Sequence, residues 1–282
     1  MDQRVKLLGE LSFFWGIIAT FVLLIAWKKN FFKVIFSQKD KITISFGHVL
    51  LAFAIYLSTV LFITPLVLKI LNITTQTHSS ISFVSISNIL SFLLVALFLG
   101  IYYLKNFKIF RSNIPIWNGN FYKNLKVAFV GWLVVTPLVL FFSQFSDLIV
   151  SKNFQIEKMP DQLAVSYVKM SLDSPIYFFL AFFTIVFLAP IVEETLFRGF
   201  LQTWLKKHLG PILSIIATSL LFVAFHFSTS QKVGNVVILS ALFPLAFFLS
   251  FIYEKQKTLI CPILLHAIFN LSSILSLALI SG

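Results

Sequence analysis

Long apolar runs, separated by short polar or basic clusters, make up almost the whole chain. A helix crossing roughly 30 Å of hydrocarbon needs about 20 mostly apolar residues. A window of that length gives eight candidate spans: 11–27, 47–71, 81–104, 127–150, 176–192, 211–227, 235–253 and 259–280. Backbone polar groups in lipid must be satisfied within the segment, and no alternating pattern of the kind a β-barrel needs is present, so the spans read as helices. The expected fold is all-α, a polytopic integral membrane bundle of about eight transmembrane helices, with no internal repeat and no linker between domains.

Composition narrows this further. The chain is 59% hydrophobic and 11% charged, with a mean hydropathy of +0.95, outside the range of soluble globular domains. Its net charge of +12 would suit a nucleic-acid partner, but the basic residues are scattered between apolar runs rather than gathered on one face. Topology explains them better. With the N-terminus outside, the inner loops hold fifteen of the 22 Lys and Arg, among them Lys28, Lys29, Lys39, Lys41, Lys105, Lys206, Lys207, Lys255 and Lys257. The single cysteine, Cys261, excludes an internal disulfide. The first apolar run ends at Lys28-Lys29 without a small-residue cleavage site and reads as a retained helix, not a signal peptide.

A few polar residues interrupt the later spans. Glu193 and Glu194 follow the run 176–192, with Arg198 four positions beyond Glu194. His226 ends Phe222-Val-Ala-Phe-His226, and His266 and Asn270 bracket His266-Ala-Ile-Phe-Asn270. Ionisable groups in membrane segments are costly and mark function by default. Leu209-Gly210-Pro211 is a helix stop followed by a helix start. Seventeen residues separate Glu193 from Gly210 and sixteen separate Gly210 from His226, so a hairpin returns both side chains to one level, about 24 Å from the turn. If that turn lies at the inner surface, His226 falls towards the outer end of its span while His266 lies near the inner end of the last one. A hairpin tip that projects beyond the membrane reconciles the two.

Glu194 and Arg198 share a helix face and make a natural ion pair. Glu193, about 100° further round the helix, is left to face a pocket. His266 and Asn270, also four apart, are placed to present donors to a developing oxyanion. With no Ser-His-Asp set and no activated cysteine among these groups, water is the expected nucleophile. Each group has a plainer explanation when taken singly: a solvated helix end for the Glu pair, a bond to a neighbouring carbonyl for His226, and interhelical hydrogen bonding for His266 and Asn270.

Together the three motifs resemble the EExxxR, FxxxH and HxxxN/D set of the CPBP (or ABI) intramembrane proteases, which include the CAAX prenyl endopeptidases and bacteriocin-processing or self-immunity proteins. The resemblance covers about 176–280. It implies that residues 1–175 supply N-terminal helices and loops, and that 176–282 form the catalytic core of one membrane domain. It further implies that Glu193 activates water with His226 assisting, that His266 and Asn270 form the oxyanion hole or hold the water, and that Glu194, Arg198 and Phe222 support them. Such proteins have been described both as metalloproteases and as metal-free glutamate proteases. Glu193, His226 and His266 would supply the three ligands of a catalytic zinc. No HExxH pair lies on one helix, however, and the metal-free reading, with no required cofactor, is favoured.

The implied partners are a membrane-anchored or lipid-anchored peptide or protein substrate and the bilayer, with no nucleic acid. The implied location is the cell membrane, with the site opening to the cytoplasm. Two other classes stand beside this reading. A non-catalytic scaffold or immunity protein would keep the fold. A proton-coupled transporter would use intramembrane Glu and His, but commonly shows repeats that are absent here.

Overall fold

The computed structural model describes residues 2–34, 42–75, 79–154 and 159–281. Lys39 and Lys41 of the first basic loop lie outside them. The described residues are helical, with no strand. In chain order the helices are α1 (Asp2–Lys28), α2 (Phe46–Ile70), α3 (Ser80–Lys105), the short α4 (Phe107–Asn113), α5 (Phe121–Phe154) and α6 (Leu163–Ser171). A continuous run, Pro175–Phe225, follows, and then α9 (Gly234–Gln256) and α10 (Ile260–Ser281).

Among the described residues seven helices are long and apolar enough to cross a membrane, against the eight read from hydropathy. The difference is at Gly210. Its backbone, at φ 79° and ψ 174°, is not helical, and it divides the Pro175–Phe225 run into α7 (175–209) and α8 (211–225). That region of backbone space is essentially open only to glycine, and Pro211 then starts α8 with a preset φ. The hydropathy reading counted 211–227 as a span of its own, whereas α8, from 211 to 225, is shorter than a full crossing. Large apolar side chains such as Phe13, Phe62 and Ile212 face outward, at 72%, 70% and 59% exposure, as lipid-facing positions do. With these helices the chain is an integral membrane protein.

Helix α5 runs through the centre, packed against α1, α9 and α10, while α9 also packs along α8. Gly131 makes the α5–α9 approach close: a Cβ there would stand 2.5 Å from Ile252 Cδ1. A ladder of polar contacts joins α7 to α9. Arg198 Nη2 donates to the Ala246 carbonyl and Gln202 Nε2 to the Ser250 carbonyl, each at 3.0 Å, and Lys206 Nζ pairs with Glu254 at 2.6 Å. Each bond spans 48 residues, so the two helices run parallel and in fixed register.

Lys206, expected in a projecting basic tip, is therefore 8% exposed and ion-paired against α9. The tip does extend past α10. His266 contacts Glu194, yet α10 begins six residues before His266, about 9 Å away, while the tip lies about 26 Å from the Glu pair.

Candidate active site

The Glu pair lies within α7, not at the end of a helix. An α-helical segment, Ala189–Glu194, is flanked by two π-helical turns, Thr184–Leu188 and Thr195–Gln202. Single π-turns of this kind cluster at functional sites. Pro190 accounts for the first turn in part. The Ala189 N–H bonds five residues back, to the Thr184 carbonyl. The next bond in that register would join residue 190 to the Ile185 carbonyl, but proline has no N–H to give. Asn270 Nδ2, from α10, fills the place and donates to the Ile185 carbonyl at 2.8 Å.

One expectation follows from this bond. Asn270→Leu strands the Ile185 carbonyl away from water and should lower stability by about 1–3 kcal/mol. Adding Pro190→Ala restores a backbone N–H and should recover much of the loss. Unfolding curves of the purified single and double variants check both statements; a double variant no more stable than the single one contradicts this account of Asn270.

Glu194 is fully buried and collects two donors on one oxygen: Arg198 Nη1 at 3.0 Å and His266 Nδ1 at 2.9 Å. Arg198 is also fully buried, and its guanidinium lies 4.5 Å from the centre of the Phe222 ring, a cation–π contact. The Phe222 ring in turn meets the rings of His226, at 4.6 Å, and His266, at 6.2 Å. Phe222 is thus the surface on which Arg198 and the two imidazoles rest. Among the described residues Glu194 Oε2 and Arg198 Nε have no hydrogen-bond partner.

Glu193 has a different environment. Its Oε2 lies 4.0 Å from His226 Nε2, beyond hydrogen-bond reach. The Glu193 side chain is 17% exposed and that of His226 25%. Glu193 Oε2 is buried and, among the described residues, has no hydrogen-bond partner. His226 caps the C-terminal end of α8, and its Nδ1 meets the Phe222 carbonyl at 2.8 Å. A carbonyl only accepts, so Nδ1 carries a proton, and in that tautomer of the neutral ring Nε2 is an acceptor on the side of Glu193. The carboxylate and the imidazole therefore present two acceptors to one small gap.

The hairpin count thus brings Glu193 and His226 to one level, and the i,i+4 spacing pairs Glu194 with Arg198. His266 and Asn270 do not turn jointly to a single point. His266 binds Glu194, Asn270 binds the π-turn, and both bonds are of the interhelical kind that spacing alone also allows. Among the described residues no group of three or more His, Cys, Asp or Glu is arranged to hold a metal ion. Of the trio Glu193, His226 and His266, His266 gives its Nδ1 side to Glu194, which leaves Nε2 as its open ring nitrogen.

Sequence reasoning missed two contributions. The Ala246 carbonyl anchors Arg198, and no side-chain pattern signals a carbonyl. Helix α2 also reaches the site: Phe53 packs on Phe197 and Phe225, and Tyr56 on Phe225, the residue before His226. A lone Tyr in an apolar run carries no signal of this.

Comparison with known proteins agrees in place. Residues 175–272 match the Rce1-like family model, described as type II CAAX prenyl endopeptidase Rce1-like. An uncharacterized 24.3 kDa protein of Escherichia coli is 37% identical over 89 residues, which cover 31% of this chain and 39% of that protein. The chain therefore aligns with less than half of that relative. No solved structure matches the chain. Residues 175–272, with Glu193, Glu194, Arg198, Phe222, His226, His266 and Asn270 all among them, thus match the CPBP, or CAAX protease, family to which the three motifs pointed.

Proposed function

We propose that the protein is a membrane endopeptidase that hydrolyses a peptide bond of a membrane-associated or lipid-anchored peptide or protein. The observation that carries this is the pair of acceptors 4.0 Å apart, Glu193 Oε2 and His226 Nε2, the first of them buried without a partner. A water between them donates one hydrogen to each, which aims an oxygen lone pair at a substrate carbonyl. As the C–O bond forms, the proton passes to the Glu193 carboxylate with His226 assisting, and later to the leaving amine as the C–N bond breaks.

His266 and Asn270 are the candidate donors to the tetrahedral oxyanion. His266 holds Glu194 through Nδ1, so a donor at its Nε2 requires a proton on both ring nitrogens. Asn270 keeps a second amide hydrogen after bonding Ile185. No cofactor is required in this scheme, and no step runs through zinc. The positive-inside pattern, with the N-terminus outside, supports a cell-membrane protein whose site opens to the cytoplasm. His266 lies about 9 Å along α10 from its start, at the end shared with Lys255 and Lys257.

One observation favours a second reading, a scaffold or immunity protein without hydrolysis. Glu194, Arg198, His266 and Asn270 all make bonds that hold helices together, and such a protein would keep them. The test is cleavage of membrane-anchored peptides by the purified protein, with and without a chelator, against His226→Ala. Cleavage that survives the chelator and falls on the order of 100-fold or more in His226→Ala is expected. Cleavage lost to the chelator and restored by zinc overturns the metal-free scheme. No cleavage at all moves the scaffold reading forward.

A further inference from the structure

The four polar groups of the site are each engaged in part. Glu193 and His226 Nε2 are acceptors, His266 spends Nδ1 on Glu194, and Asn270 gives one amide hydrogen to the Ile185 carbonyl. His266 Nε2 and the second Asn270 amide hydrogen remain for a tetrahedral oxyanion formed beside Glu193, and a further donor can come from the helix packed on the hairpin from outside α7, α8 and α10. That helix is α2. Phe53 and Tyr56, three residues apart on one face, pack against the hairpin: the Phe53 ring is 5.4 Å from Phe197 and 6.4 Å from Phe225, and the Tyr56 ring is 5.5 Å from Phe225. Phe225 immediately precedes His226, so the Tyr56 ring is braced one residue from the catalytic imidazole.

The Tyr56 hydroxyl lies near enough to Glu193 to feel its charge, and among the described residues it is bonded to no side chain. A phenol is a donor that stays protonated through the neutral range in its ordinary state, and its two χ angles leave little freedom once the ring is packed. Arg198 is locked between Glu194 and the Ala246 carbonyl.

We propose that Tyr56 is a catalytic residue of this site, donating its hydroxyl hydrogen to the substrate carbonyl oxygen as that oxygen becomes an oxyanion. The inference rests on the peptidase reading above and adds a group from outside the three motifs and outside residues 175–272. The hydrogen bond forms without a change of covalent bonds: the water oxygen adds to the carbonyl carbon, the π electrons move to oxygen, and the Tyr56 O–H holds the resulting charge.

The test compares wild type with Tyr56→Phe, which keeps the ring against Phe225 and removes only the hydroxyl. Expected are a kcat lower on the order of 100-fold, a nearly unchanged KM, and an unchanged unfolding midpoint. In parallel, binding of a peptidyl phosphinate, a tetrahedral mimic, is measured against binding of the uncleaved parent peptide. The variant should lose affinity for the phosphinate alone. If kcat and phosphinate affinity both match wild type, or if only KM rises, the assignment is overturned while the peptidase reading stands. A drop in kcat that follows a lower unfolding midpoint also overturns it, because the ring would then be acting through packing. If wild type neither cleaves nor binds the phosphinate, the peptidase reading fails and the role of Tyr56 falls with it.

Discussion

Glu193→Gln is expected to abolish cleavage while leaving the fold intact. The substitution keeps size and shape but replaces the buried, unpartnered oxygen facing His226 by an amide that cannot take the proton from water. General-base catalysis contributes about 10²–10⁴-fold, and a loss at the upper end is expected because His226, on the other side of the same water, has no carboxylate left to work with. The unfolding midpoint should hardly move, since Glu193 Oε2 makes no hydrogen bond that the change would break. The measurement is kcat on a membrane-anchored peptide, with midpoints taken on the same preparations. A variant within a few-fold of wild type removes Glu193 from the mechanism. The neighbouring carboxylate should behave in the opposite manner, which makes the pair its own control.

Arg198→Met is the second large effect, and it should appear in stability before it appears in activity. Arg198 and Glu194 are both fully buried, 3.0 Å apart. Removing one partner of such a pair costs about 3–5 kcal/mol, because the other charge is left in a low-dielectric interior. The same change deletes the bond to the Ala246 carbonyl and the contact with the Phe222 ring, on which both imidazoles rest. Adding Glu194→Gln to Arg198→Met removes the stranded charge and should restore a large part of the loss, whereas Glu194→Gln alone should not be benign. Denaturant unfolding of the two single variants and the double variant in one detergent gives the coupling directly. Additive effects would mean that the ion pair is not the unit of stability here.

The sequence is a good guide to the spans and a poor one to what happens inside α7. All eight apolar runs lie in helices except for one or two end residues of three of them, because twenty apolar residues in succession leave the backbone little alternative. The window nevertheless closed at Val192, where the first carboxylate stands, while the helix continues to the Gly210 turn. Arg198, Gln202 and Lys206 look like solvated positions to any local measure. They are buried because Ala246, Ser250 and Glu254 meet them from 48 residues away. The π-turn at Thr184–Leu188 is similarly tertiary: Pro190 hints at a lost bond, but only Asn270 on α10 makes that loss tolerable. At the site, counting residues around Gly210 was enough to bring Glu193 to His226, since the two arms beside that turn, 193–209 and 211–226, are of nearly equal length. Counting could not show that His266 bonds Glu194 rather than pointing with Asn270, nor that α2 delivers Tyr56. Those depend on which faces of distant helices meet, and the even spread of Phe along the spans hides that choice.

The α7–α9 ladder bears on how this protein meets bilayers of different thickness. A helix held only by its apolar length slides or tilts when the surrounding hydrocarbon thins or thickens, at fractions of a kcal/mol per Å of mismatch. Helix α7 is not held in that way: three side chains, spaced one turn apart, bind α9 at a common offset. A slide by one turn would break all three bonds together. Thickness changes are therefore not taken up by α7 sliding along α9, and the carboxylates keep their level against that helix. What the lipid can alter is how deep the intact site lies, and hence how far a substrate anchored at the surface must reach.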